Sequence, residues 1–263
     1  MSAGIASLPR VELMRDLSAA FPGWAVWKSL DRTIAGRGDI DAIASSDTWP
    51  KIASIFQGWA FAQGFDGVIG CRHVPGVVLL MAVRPDRAAL SELDLCDTFY
   101  WRGGRLITAA DVVSFLVDDE RGIRRFRPGA EGLFLLLFNG LSRGGRRNAP
   151  AIRDQHVIEL LGSDPDGVQI AAATLGRIGP AALALAAAVE EGRWDRWAAL
   201  RAEVLGVANA TLEPGSLAGR LGFRIGADRT CPIVAATRGY GGKGEDMERW
   251  LTTPTALHSL ARA

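Results

Sequence analysis

The sequence predicts a mixed α/β fold of the α+β kind, in which a mixed sheet flanked by helices precedes a mainly helical C-terminal module. Helix-like and strand-like runs alternate over residues 1–108, whereas helical patterns predominate over residues 109–263. Hydrophobic residues make up 48% of the 263 residues and charged residues 22%, which is typical of a folded chain with a sizeable core. We therefore expect an α/β module over residues 1–108 and a helical module over residues 109–263 that completes a cleft.

The predicted N-terminal module begins with an amphipathic helix over residues 8–20. Apolar residues recur there at roughly helical intervals, and Phe21-Pro22-Gly23 ends the segment. Residues 76–83 are almost continuously apolar, which predicts an interior strand. The other predicted elements are, in order, a strand over 24–27, a short helix over 29–34, a strand over 39–44, a helix over 49–64 and a strand over 92–100.

The pattern after Thr108 predicts helices separated by loops rich in glycine and arginine. These helices are expected over residues 109–116, 130–138, 152–161, 181–191, 194–208 and 245–251. The arginine-rich loops over residues 121–127 and 143–148 have two interpretations. They form either a rim that contacts phosphate or RNA, or solvated loops whose arginines pair with the acidic residues nearby, which are Asp118, Asp119, Glu120 and Glu131.

Charge and cysteine content exclude several classes of protein. Thirty lysine and arginine residues against 29 acidic residues leave a net charge of +1, so no whole-molecule field favours a nucleic acid or a membrane surface. Cys71, Cys96 and Cys231 are far apart and odd in number, which suits neither a disulfide framework nor a cysteine zinc site. The chain shows no apolar stretch long enough to predict a membrane span. We therefore expect a cytoplasmic protein.

The most informative segment carries two aspartates separated by one apolar residue. On a strand, Asp39 and Asp41 project from the same face, so their charges lie close together. Downstream, Glu92 and Asp94 share a strand face in the same way. Oxygen-only ligands at this spacing suit Mg²⁺ or Mn²⁺, and Asp39, Asp41 and Asp94 meet the needs of two-metal phosphoryl chemistry. The same Asp-x-Asp pattern also fits an exposed strand face or a turn after glycine.

Ser29 precedes this pair by ten residues, between a predicted strand and a predicted helix. Backbone N–H groups at such a junction are able to hold a phosphate.

These stretches resemble the nucleotidyltransferase superfamily of the DNA polymerase β type. More closely, they are similar to an uncharacterised bacterial nucleotidyltransferase-like family in which an "LKG"-like turn precedes "GDIDLLV". The matching stretches here are Trp27-Lys28-Ser29, Gly38-Asp39-Ile40-Asp41-Ala42-Ile43, and Leu93-Asp94-Leu95 followed by Trp101-Arg102-Gly103. Leu30 stands where the family has a second small residue, and Asp31 adds a negative charge to the turn.

The resemblance implies a nucleotidyltransferase-type sheet and the transfer of a nucleoside monophosphate from an NTP to a hydroxyl group, with Mg²⁺ or Mn²⁺ as cofactor. Its acceptor would be a small molecule, a protein or RNA. Asp39 and Asp41 would bind metal, and Asp94 would be the third carboxylate of the metal and catalytic site. Lys28 and Ser29 would contact the triphosphate, with Arg32 and Arg37 as further nucleotide-binding candidates, in the cleft between the two modules.

Two other functions stay open. One is a catalytically inactive relative that keeps the scaffold and uses its acidic face or its arginine loops to bind a partner. The other is a toxin-like enzyme that transfers nucleotides to tRNA. Nucleotide binding in the presence of metal separates the first from an enzyme, and transfer of labelled nucleotide to bulk RNA identifies the second.

Overall fold

A computed structural model describes residues 10–74, 76–84, 89–148, 154–212 and 233–237. It confirms the mixed α/β class. The helices are α1 (Arg10–Ala20), α2 (Leu30–Ile34), α3 (Trp49–Ala62), α4 (Pro128–Leu135), α5 (Asp154–Ser163), α6 (Pro165–Thr174), α7 (Gly179–Glu190) and α8 (Arg196–Leu212). The strands are β1 (Ala25–Val26), β2 (Ile40–Ile43), β3 (Gly67–Val74), β4 (Val77–Arg84), β5 (Ala89–Cys96), β6 (Thr98–Trp101), β7 (Gly104–Thr108), β8 (Leu116–Asp118), β9 (Arg124–Phe126), β10 (Leu141–Ser142), β11 (Arg146–Arg147) and β12 (Ile233–Thr237).

The described residues form two compact units, and each unit is assembled from more than one segment of the sequence. The first unit takes its described residues from Met1–Asp97, Asp118–Arg124 and Arg220–Ala263. The second takes them from Thr98–Val117 and Arg125–Gly219.

The first unit is built on a mixed sheet. Its strands lie in the order β12-β3-β4-β5-β2-β1, and β2 and β5 are parallel whereas the other neighbouring pairs are antiparallel. The core side of this sheet carries fully buried residues at alternate positions, such as Ile40 and Ala42 on β2 and Leu93 and Leu95 on β5. Helices α1 and α3 contribute further apolar side chains to the same core. The alternation therefore turns the residues between them, which include the aspartates, to the other side of the sheet.

The second unit is mainly helical and contains α4 to α8. Its core includes a cluster of aromatic rings whose neighbouring centroids are 5.0 to 6.4 Å apart, formed by Phe99, Phe115, Phe126, Phe134 and Phe138. Helix α4 packs closely against the start of α6, because a Cβ atom built on Gly129 would lie 2.0 Å from the backbone oxygen of Asp164.

Most predicted elements are confirmed. The predicted helices over 8–20, 29–34, 49–64, 130–138, 152–161, 181–191 and 194–208 correspond to α1, α2, α3, α4, α5, α7 and α8, and the predicted strands over 24–27, 39–44 and 76–83 to β1, β2 and β4. The predicted strand over 92–100 is divided at Asp97 into β5 and β6. Residues 8 and 9 and the predicted helix over 245–251 lie outside the described residues.

The predicted helix over residues 109–116 is wrong. Residues Asp111–Phe115 form a short 3₁₀ turn, and β8 follows at once. The carboxylate of Asp111 accepts hydrogen bonds from the backbone N–H and the hydroxyl of Thr108 at 2.7 and 2.8 Å. This local bonding favours a turn over a continuous helix, as do the two neighbouring valines that follow Asp111.

No helix in the described ranges combines the length and the apolar character needed to cross a bilayer.

Candidate functional site

Two neighbouring parallel strands bring the predicted carboxylates together. The register of β2 and β5 places Asp41 directly beside Asp94 and Ile40 beside Leu93. Ile40 and Leu93 are fully buried in the core, so Asp41 and Asp94 project from the opposite face. Adjacent strands lie about 4.8 Å apart, which makes these two aspartates immediate neighbours. Asp41 and Asp94 therefore share one face of the sheet.

Asp39 and Glu92 form a second carboxyl pair two residues earlier on each chain segment. Asp39 is exposed just before β2 and lies beside Glu92 on β5, since the next residues, Ile40 and Leu93, are paired. The neighbouring Asp39 carboxyl group, together with burial and the negative charge of Asp94, raises the pKa of Glu92 to about 7, although Arg10 opposes the rise. The sequence predicts Glu92 on the same strand face as Asp94 but indicates no role for it. In the structure, Glu92 is the neighbour of Asp39.

Lys28 forms an ion pair with Asp41. Its Nζ atom lies 2.9 Å from Oδ1 of Asp41 and 4.5 Å from the centre of the Trp27 ring. The backbone N–H of Trp27 donates a hydrogen bond to the backbone oxygen of Asp41 at 2.9 Å, which holds the neighbouring Lys28 beside β2. Burial raises the pKa of Asp41 to about 6; Lys28 lowers it, and the charges of Asp94 and Asp39 raise it further.

Arg10 is a second cation at this face, and sequence reasoning missed it. Its side chain is buried, and Nη1 donates a hydrogen bond to the backbone oxygen of Gly38 at 2.7 Å. Burial lowers the pKa of Arg10, while the charges of Asp39 and Glu92 oppose this change. Arg10 precedes the buried Leu13 by three residues, so it occupies the apolar face of α1. An arginine in the apolar stripe of a helix was the available signal.

A tight turn holds Asp39 in place. Gly36 and Gly38 have φ values of 71° and 81°, a left-handed conformation that glycine adopts at little cost. The hydroxyl of the buried Thr33 donates a hydrogen bond to the backbone oxygen of Asp39 at 2.8 Å. The backbone of Asp39 is thus fixed from α2, whereas its side chain remains at the surface.

The predicted nucleotide-binding residues lie on the segment that leads into this turn. Ser29 has a left-handed backbone with φ of 57°, and its carbonyl oxygen accepts hydrogen bonds from the N–H groups of Arg32 and Thr33. Arg32 and Arg37 are exposed on the same segment. Their assignment to nucleotide binding stays a prediction.

The structure shows where the two residues lie that differ from the motif the sequence resembles. Leu30 is buried in the core, so the larger residue at this position does not occupy the surface of the turn. The side chain of Asp31 is 82% exposed, and its carboxylate lies 3.2 Å from a guanidinium nitrogen of Arg121. The negative charge of Asp31 is therefore shared with a cation and directed towards solvent.

The arginines of the first loop, residues 121–127, are largely engaged within the protein, and those of the second are exposed. The ion pairs of the first loop are Arg121 with Asp119 at 2.7 Å, Arg124 with Asp118 at 2.9 Å, and Arg125 with Glu131 at 2.6 Å. These contacts confirm the interpretation of paired loops for residues 121–127. In the second loop Arg143, Arg146 and Arg147 are exposed around the β10–β11 hairpin.

The donor chemistry of this face suits a divalent cation, although the side chains are not arranged as a metal centre. Asp39, Asp41, Glu92 and Asp94 are oxygen ligands of the kind that Mg²⁺ and Mn²⁺ prefer. Four carboxylates against the cations Lys28 and Arg10 leave a formal excess of two negative charges when all are ionised. Among the described residues, however, no three histidine, cysteine, aspartate or glutamate side chains converge as metal ligands do. Metal binding would therefore require Asp41 to leave Lys28 and Asp39 to leave Glu92.

No family model, curated protein or solved structure matches the chain. The likeness to nucleotidyltransferases consequently has the support of the motif residues alone.

Proposed function

We propose that the protein is a metal-dependent nucleotidyltransferase that moves a nucleoside monophosphate from an NTP to the hydroxyl group of an acceptor. The observation that carries the proposal is the parallel register of β2 and β5, which sets Asp41 beside Asp94 with Asp39 on the adjoining turn. Carboxylates packed this closely raise one another's proton affinity, and a divalent cation bound among them would relieve this repulsion.

Each residue on this face of the sheet would have a separate role in such a reaction. Asp39 and Asp41 would hold Mg²⁺ or Mn²⁺, which supplies charge neutralisation at the phosphates when bound. Lys28 and Ser29 would bind the triphosphate, with Arg32 and Arg37 at its exposed side. Buried Thr33 keeps the backbone of Asp39 in position through its hydrogen bond.

The chemical step would need a base near the acceptor, and Asp94 is the candidate. The acceptor oxygen forms a bond to the α-phosphorus while the bond from that phosphorus to the pyrophosphate oxygen breaks. The proton of the acceptor hydroxyl passes to the carboxylate of Asp94, and pyrophosphate leaves.

Cys96 on the same strand is a buried thiol that donates to the backbone oxygen of Ala42 at 3.4 Å, which is compatible with a reducing, cytoplasmic location.

The test is the release of pyrophosphate from each of the four NTPs with Mg²⁺, in the presence of bulk RNA, protein or small hydroxyl compounds. Asp39→Asn, Asp41→Asn and Asp94→Asn should each lose the metal-dependent activity and keep the fold. Asp47→Asn, at an exposed position outside the face, should behave like the wild type. Activity at the wild-type level in Asp41→Asn would exclude this site.

A second candidate is a non-catalytic protein that binds a partner through the same scaffold. The ion pair between Lys28 and Asp41 favours it, because a carboxylate already neutralised by lysine is a complete arrangement without metal. Calorimetry with ATP, GTP, CTP and UTP, each with and without Mg²⁺, separates the two. Binding that requires Mg²⁺ supports the enzyme, and failure to bind any nucleotide supports the second candidate. Transfer of labelled nucleotide to RNA alone would identify the tRNA-modifying alternative.

A further inference from the structure

We propose that Lys28 is an exchangeable counter-ion of the carboxylate face, the sheet face that carries Asp39, Asp41, Glu92 and Asp94. Lys28 neutralises Asp41 in the metal-free protein and leaves it when a divalent cation binds. The released ammonium group then binds the phosphates of the nucleotide that arrives with the metal. This inference rests on the proposed function, and it adds an order of events and a competition that the proposed function alone does not require.

The geometry makes Lys28 a direct competitor for Asp41. The 2.9 Å contact places the ammonium group on a carboxylate oxygen that a metal would also use. The Lys28 side chain is 26% exposed and that of Asp41 15%, so the cation is the partner with more access to water. Its ammonium group also lies 4.5 Å from the centre of the Trp27 ring, a contact that does not use the Asp41 carboxylate.

Arg10 shows by contrast which cation is able to leave. Arg10 is only 3% exposed, and its Nη1 atom donates to the backbone oxygen of Gly38 at 2.7 Å, so burial and a backbone hydrogen bond both hold it. Lys28 is 26% exposed and is held by a flexible four-carbon stem, one carboxylate contact and its contact with the Trp27 ring. Of the two cations found at this face in the described part of the chain, Lys28 is therefore the exchangeable one.

A competition has a signature that a purely structural role lacks. If Lys28 occupies Asp41, a lysine-to-methionine change should raise the affinity for metal in the absence of nucleotide, because the carboxylate is released and a positive charge is removed. The same change should lower the affinity for nucleotide, because an ammonium group is lost from the phosphate site. A residue that only supports the fold would lower both affinities.

The experiment measures Mn²⁺ binding to the full chain by electron paramagnetic resonance of the free ion, at constant pH and ionic strength. We expect Lys28→Met to bind Mn²⁺ about tenfold more tightly than the wild type, the size of effect that one neighbouring charge has on a carboxylate. With a non-hydrolysable ATP analogue present, the same variant should bind the analogue about tenfold more weakly. Lys51→Met, an exposed position on α3, should match the wild type in both measurements.

Two further variants keep the outcomes distinct. Lys28→Arg retains the charge and should not bind Mn²⁺ more tightly than the wild type, and Lys28→Gln replaces Lys28→Met if the methionine variant does not fold. Unchanged or weaker Mn²⁺ binding by a folded Lys28→Met or Lys28→Gln variant would overturn the inference. If wild-type Mn²⁺ binding is lost in Asp41→Asn yet insensitive to Lys28, the proposed function stands and only the exchange fails. If the wild type binds no Mn²⁺ through Asp41, with or without nucleotide, both fail.

Discussion

Replacing Asp41 with asparagine should make the folded protein more stable at pH 8 while it abolishes the activity. Burial is the main reason that the pKa of Asp41 rises from 3.8 to about 6, and the neighbouring aspartates add to it against the effect of Lys28. Each tenfold change in proton affinity is worth about 1.4 kcal/mol, so the ionised carboxylate costs the fold about 3 kcal/mol at pH 8. An asparagine of the same shape avoids most of this cost. The pKa of about 6 already includes the attraction of Lys28, so the expected gain is about 2 to 3 kcal/mol.

The sign of the pH dependence follows from the direction of the shift. A carboxyl group that holds its proton more tightly in the folded state favours folding as the pH falls, so the wild type loses this contribution as the pH rises from 3.8 through about 6. At pH 5 the cost is about half of its value at pH 8, because the native carboxyl group is then mostly protonated. The stability gain of Asp41→Asn should therefore be about 1.5 kcal/mol larger at pH 8 than at pH 5.

Urea unfolding followed by tryptophan fluorescence measures this directly, since Trp24 and Trp49 are buried in the unit that contains Asp41. The wild type, Asp41→Asn and Asp47→Asn would be compared at both pH values, and the exposed Asp47 should change the free energy of unfolding by less than about 0.5 kcal/mol. A loss of stability in Asp41→Asn at pH 8, or an equal effect at both pH values, would refute the reasoning.

Three further predictions concern stability alone and are tested by urea unfolding. Gly129→Ala should lower the free energy of unfolding by at least about 3 kcal/mol, because its Cβ would lie 2.0 Å from the Asp164 backbone oxygen. Gly58→Ala in α3, where a Cβ meets nothing within 4 Å, should raise it by about 0.5 to 1 kcal/mol. Equal effects of the two variants would contradict the close packing of Gly129. Burial raises the pKa of Asp164, but hydrogen bonds from an arginine and two backbone N–H groups lower it overall. Asp164→Ala should therefore lower the free energy of unfolding by about 2 kcal/mol at pH 7, and by less as the pH falls below 3.8. A loss of stability that does not change with pH would be inconsistent with this prediction. Thr33→Val should cost about 1 to 2 kcal/mol, because it removes the donor to the Asp39 oxygen, and a neutral result would show that this bond does not hold the turn.

Local patterns were sufficient for several strands of the sheet that carries the aspartates. The alternation around Asp39 and Asp41 predicted β2, and the apolar run over residues 76–83 predicted β4, whose residues Val78, Leu80 and Ala82 are fully buried. Strand β3 was not predicted, because Gly67–Val74 contains two glycines, an arginine and a histidine. Pairing on both sides, with β4 and with β12, stabilises this segment as a strand in spite of its composition.

Helix α6 was also missed, although a signal was present. Asp164 precedes Pro165, and its carboxylate accepts a hydrogen bond from the Gly167 N–H at 3.1 Å. An N-cap aspartate followed by proline at the first helical position is a common helix start. Residues 170–173 then form a continuous apolar run, which conceals the helical period.

The candidate site was less predictable than the strands that support it. The same-face spacing of Asp39 and Asp41 is a property of one strand, but the register that sets Asp41 beside Asp94 joins segments more than fifty residues apart and depends on the whole sheet. The contacts of Lys28 with Asp41 and of Arg10 with the Gly38 backbone oxygen likewise join segments that are separate in the sequence. Long-range electrostatics of this kind leave little trace in local sequence.

The most direct test of the account is a crystal of the protein with Mn²⁺ and a non-hydrolysable NTP, with the metal located by its anomalous scattering. The account requires Mn²⁺ bonded to the carboxylates of Asp39 and Asp41, Asp94 beside them, and the ammonium group of Lys28 moved from Asp41 to a phosphate. A nucleotide bound elsewhere, or Mn²⁺ distant from these carboxylates with the Lys28–Asp41 ion pair intact, would contradict it.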